Sequence, residues 1–147
     1  MDSNTQSRIS SLSSQIAQKE GRISYLRESI STLKRCLDDT SEARRLHSQA
    51  AYQFLADRSS SLKSTQALAA IKNAKISGQI AERITSQLSG WRFADYNESV
   101  DKNGQILDNE ITRLEEEIKA KQKEIASLTY EITITQAQTR ALIAGVS

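Results

Sequence analysis

The stretch ISSLSSQIAQKEGRISYLRESISTLKRCL, from Ile9 to Leu37, decides how this chain is read. Its apolar residues fall at Ile9, Leu12, Ile16, Ile23, Leu26, Ile30, Leu33 and Leu37, and Lys19 occupies the missing step. Steps of three and four alternate. With Ile9 as position a of a heptad, Ile or Leu fills every a position and Leu every d but one, which places them on a single stripe of a helix. Such a stripe must be buried against something.

A second stripe with the same rhythm runs through Leu107, Ile111, Leu114, Ile118, Ile125, Leu128, Ile132, Leu142 and Val146, with Lys121, Thr135 and Thr139 seated in it. The two seams have three ways to be satisfied: with each other, with another copy, or with a different protein. Residues 1–37 hold six basic and three acidic side chains, and residues 107–131 hold four basic and seven acidic. Opposite net charge favours packing the two together, at about 0.2 to 1 kcal/mol for each exposed pair.

Between the seams lies a less apolar helical stretch marked by Leu46, Ala50, Phe54, Leu62, Leu68, Ile76, Ile80, Ile84 and Leu88. Three places in or beside it predict an interruption. The first is DDTSE at Asp38–Glu42, where Asp39 and Glu42 have the spacing of a capping box. The second is the serine cluster from Asp57 to Thr65, whose hydroxyls compete for backbone hydrogen bonds and predict a kink near Ser60. The third is Gly90, placed to end a helix in the left-handed conformation with Trp91 packing back.

The chain of 147 residues has no proline and five glycines, so little in it opposes helix propagation. The reading is all-α: one elongated helical domain, a helical hairpin or three-helix bundle with coiled-coil seams. Helices are expected at 5–37, 41–88 and 93–144, running up, down and up, so that the first and third are parallel.

Chemistry finds little to work with. The single cysteine, Cys36, excludes an intramolecular disulfide, and the single histidine, His47, lies about 16 Å further along a continuous helix, too far for a Cys–His pair. One Cys and one His do not make a zinc cage, no Glu-x-x-His motif is present, and the scattered glycines form no phosphate loop. No enzyme, cofactor or metal is expected. A net charge of +2 does not imply nucleic acid, and the mixed polar faces do not suit a membrane surface. The N-terminal residues lack the apolar core of a cleaved signal, so the expected location is the cytoplasm, with any export following a route that needs no cleaved signal.

The segment LSGWRFADYNESVDKNGQILDNEITRLEEEI, from Leu88 to Ile118, resembles the turn and second arm of the small helical-hairpin proteins of bacterial type VII secretion, in the branch associated with LXG-domain toxins. On this resemblance Trp91 matches the turn tryptophan and Tyr96 the aromatic that follows. The position two after the tryptophan is Phe93 where the family carries glycine, and no Tyr-x-x-x-Asp/Glu export signal occurs. The resemblance implies an adaptor that binds the helical N-terminal domain of a secreted toxin and assists its export. Expected contacts are Trp91, Phe93 and Tyr96 at the turn, with Ile9, Ile16, Ile23, Leu26, Ile30 and Leu33 on one seam and Ile111, Leu114, Ile118, Ile125 and Leu128 on the other. The alternative is a self-associating coiled-coil structural protein, a homo-oligomer held by these same seams.

Overall fold

The computed structural model describes residues 2–70 and 75–145, the side chains of residues 68, 75–77, 91 and 92 excepted. The side chains of Leu68, Ile76 and Trp91, and the whole of Val146, therefore lie outside the described residues. The fold is an all-α helical hairpin, with no strand among the described residues. Helix α1 spans Ser3–Ala69, α2 Lys75–Ser89 and α3 Trp91–Ala144. The chain divides into two compact units, one of Met1–Asp38 with Thr112–Ser147 and one of Asp39–Ile111.

In the first unit the two seams meet each other. Ile23, Leu26, Ile30, Leu114, Ile118 and Ile132 are buried, and Leu26 is fully so. Lys19 Nζ lies 3.3 Å from Glu131. Arg22 donates twice to Glu124, at 3.0 and 3.3 Å, and that bond raises the affinity of its guanidinium for its proton. As the α1 position advances from 19 to 22, its partner retreats from 131 to 124, so the segments run antiparallel. This corrects the parallel arrangement expected for the first and third helices. Only one reversal separates the two seams, and a single reversal opposes them.

The α1 helix does not stop after Leu37 as the sequence suggested. It runs through Asp38–Glu42 and through the serine cluster without a break. Glu42 spends its carboxylate on Arg45, three residues on, with contacts of 2.6 and 2.9 Å, and is not available to cap a new helix. The register also continues. Counting by sevens from Ile9 reaches Arg44, Ala51, Arg58 and Thr65, all half-buried or buried. The seam goes on in polar residues, which hydropathy alone does not register.

The second unit shows where the chain turns. Arg44 Nε bonds Asp108 Oδ1 at 2.8 Å, the Phe54 ring lies 4.2 Å from that of Tyr96, and Arg58 Nε bonds the carbonyl of Leu88 at 2.7 Å. Near the end of α1, Thr65 lines an open groove together with Ala81 of α2. Position along α1 rises from 44 to 65 while its partner falls from 108 to 81. Both α2 and α3 therefore run antiparallel to α1, one after the other. The turn expected at Gly90 and Trp91 is thus a break within the returning arm.

Gly90 is needed there for space. It does not take the left-handed conformation, but a Cβ on it would stand 2.5 Å from the carbonyl oxygen of Ser86. Its own carbonyl accepts the amides of Phe93 at 3.1 Å and Ala94 at 3.3 Å, so it starts α3. At the other end of the chain, Asp2 caps α1 by accepting the Thr5 amide at 2.6 Å.

Candidate partner-binding surface

The seam residues expected to meet a partner face each other instead. Within the first unit Ile23, Leu26, Ile30, Leu114 and Ile118 are buried, and Ile9, Ile16, Leu33, Ile125 and Leu128 are half-buried. Ile111 is half-buried in the second unit. In this conformation a binding partner does not reach the buried ones. The opposite charges that favoured pairing the two segments are realised as the Lys19–Glu131 and Arg22–Glu124 contacts.

What remains outward is a set of large apolar side chains that the heptad leaves off the seam. In the first unit Tyr25 is 57% exposed and Tyr130 68%. Tyr130 and Ile134 are one turn apart on α3 and share a face. Ala137 and Ala141 continue it, and residues 132–144 contain one charged side chain, Arg140. An outer helix face this apolar and this poorly charged is unusual on a solvated surface.

In the second unit Leu46, Ala50 and Phe54, spaced four apart, form an exposed stripe on α1. The stripe leads to an aromatic cluster. Phe54 stacks on Phe93, with centroids 6.1 Å apart and planes at 15°, and tilts against Tyr96 at 37°. Phe93 is half-buried while Phe54 and Tyr96 keep more than a third of their surface exposed. Of the three aromatics expected at the site, Phe93 and Tyr96 are thus brought together; the side chain of Trp91 lies outside the described residues. Phe54 was legible only as one more helix residue, because its partners stand about forty positions away.

Two arginines at a positions complete the second unit. Arg44 lies across Gly104, where a Cβ would meet its guanidinium at 3.1 to 3.2 Å. It also bonds Ser48 at 3.0 Å and contacts Nδ1 of His47 at 3.2 Å. Arg58 lays its guanidinium 3.9 Å over the Phe93 ring, a cation–π contact. Each inward arginine is matched on the returning arm by the residue that admits it, a glycine for one and a ring face for the other.

Among the described residues no group of three or more His, Cys, Asp or Glu side chains could hold a metal ion. His47 faces Arg44, and Cys36 is exposed. No described helix is long and apolar enough to cross a membrane. No family model, curated protein or solved structure matches this chain.

Proposed function

We propose that the chain is a non-enzymatic helical adaptor that docks on the helical N-terminal domain of a type VII secreted toxin and assists its export. The observation that carries the docking is the set of outward apolar side chains. A two-helix hairpin buries one stripe of each arm, and nothing in the hairpin covers Leu46, Tyr52, Ile106, Tyr130 or Ile134, which are 41 to 74% exposed. An amphipathic helix laid along the Leu46–Ala50–Phe54 stripe of the second unit, or along the Tyr130–Ile134 face of the first, would bury side chains at its own three- and four-residue steps. The toxin and the export route rest on the resemblance of residues 88–118 alone. Its turn tryptophan stands here at the head of α3 and not at the reversal.

The alternative, a self-associating structural protein, draws on the same outward side chains between copies, since the seams are occupied within the chain. Light scattering on the chain alone, and after co-expression with the helical N-terminal domain of an LXG toxin, separates the two readings. The adaptor reading expects a complex of defined mass that Ile134→Asp or Phe54→Asp disrupts without loss of helical circular dichroism. A stable homo-oligomer that ignores the toxin rejects it.

A further inference from the structure

The junction between α2 and α3 holds an arrangement that the docking surface does not explain. The helix ends at Ser89 and restarts at Trp91. The carbonyl of Leu88, at the C-terminal end of α2, accepts the Nε–H of Arg58 at 2.7 Å. The carbonyl of Thr85 accepts the Ser89 hydroxyl. Side chains bond two carbonyls in the last turns of α2, and one of those side chains belongs to α1. The same guanidinium lies on Phe93, in the first turn of α3. Arg58 thus touches both sides of the break.

Among the described side chains, the groove between α2 and α1 is lightly filled. Its facing residues are small or polar: Thr65, Gln66 and Ala69 on α1, with Gly78, Ala81 and Thr85 on α2. Among the described side chains of α2, Ala81 is the buried apolar one, Ile84 and Leu88 are half-buried, and Ile80 is 43% exposed. Apolar burial scales with area, so one buried methyl with two half-buried aliphatic side chains contributes modestly against the entropy of ordering a helix of 15 residues. A charge-assisted bond to a helix C-terminus, aligned with the helix dipole, is then a large share of the attachment.

We infer that Ser89–Gly90 is a hinge in the returning arm and that Arg58 is its latch, so that α2 opens from α1 as a unit while the seams of the first unit stay closed. Gly90 fits the role of pivot, because a Cβ there would collide with the Ser86 carbonyl in the closed form. Opening uncovers Ala81, Ile84 and Leu88 together with Leu62 and Thr65 of α1.

Hydrogen–deuterium exchange on the full chain tests this with Arg58→Met, which keeps an apolar stem and removes the donor. Amides at 78–89 should exchange about ten- to a hundredfold faster, the range set by one bond to a charged group, with those at 23–30 and 114–132 unchanged. Arg58→Lys should not restore protection, because an ammonium lacks the planar face that rests on Phe93 while Nε reaches the carbonyl. Phe93→Leu, which keeps the carbonyl bond and removes the ring, should show a smaller rise in the same place. No change at 78–89, an equal rise in both units, or loss of helical circular dichroism on removing Arg58 would each overturn the inference.

Discussion

Leu26→Ala tests the intramolecular pairing of the seams. Leu26 has no exposed surface, and it sits between the buried Ile23 and Ile30 on the stripe that meets Leu114, Ile118 and Ile132 in the first unit. Removing its isobutyl end forfeits the transfer free energy of a buried leucine and leaves a cavity, a combined cost of about 2 to 5 kcal/mol. Two facing helices close a void more easily than a core walled on all sides, so the lower half of that range, about 2 to 3 kcal/mol, is expected here. Urea unfolding followed by circular dichroism at two protein concentrations a hundredfold apart is the assay. The variant should lower the midpoint, and neither protein's midpoint should depend on concentration, because the contact lies within one chain. A loss below about 1 kcal/mol, or a midpoint that climbs with concentration, would mean that the seams pair between copies and that the reasoning is wrong.

Two further outcomes follow from the second unit and the N-terminus. Gly104→Ala gains helix propensity of about 1 kcal/mol but pushes on a guanidinium 3.1 to 3.2 Å away, whose partly exposed pair with Asp108 contributes about 0.2 to 1 kcal/mol. Net stability should stay within about 0.5 kcal/mol of the parent, while a double-mutant cycle with Asp108→Asn loses its coupling; coupling that persists would show that Arg44 does not move. Asp2 accepts the Thr5 amide, and that bond holds its carboxyl below the ordinary range. A lowered carboxyl stabilises the fold above its unfolded value and loses that contribution as pH falls through the folded one. Protection of the Thr5 amide, taken relative to its intrinsic exchange rate at each pH, should therefore fall on acidification, and Asp2→Ala should show that fraying at neutral pH; a Thr5 amide equally protected in both would contradict the cap.

Much of the fold was legible in the sequence because one signal, a 3,4 rhythm of Ile and Leu, reports directly on a helical stripe. Ile23, Leu26, Ile30, Leu114 and Ile118 are read from it as seam residues, and all five are buried. Helix ends were harder to read. Asp39 and Glu42 have the spacing of a capping box, yet the same residues serve equally well on a helix surface, and Glu42 pairs with Arg45. Gly90 announces a break, but a break and a reversal carry the same local signature. Which of the two it is depends on what α2 and α3 pack against.

By itself, then, the sequence determined an all-α chain with two apolar seams, since periodicity and absence of proline are local properties. The tertiary structure alone decided that the seams face each other antiparallel, that α2 already runs antiparallel to α1, and that Arg44 and Arg58 continue the seam inward. An arginine at an a position is read from the sequence as an interruption. It becomes part of the interior only when the opposite arm brings Gly104 beneath one guanidinium, and Phe93 with the Leu88 carbonyl against the other, and those partners lie 30 to 60 residues away, beyond the reach of any local pattern.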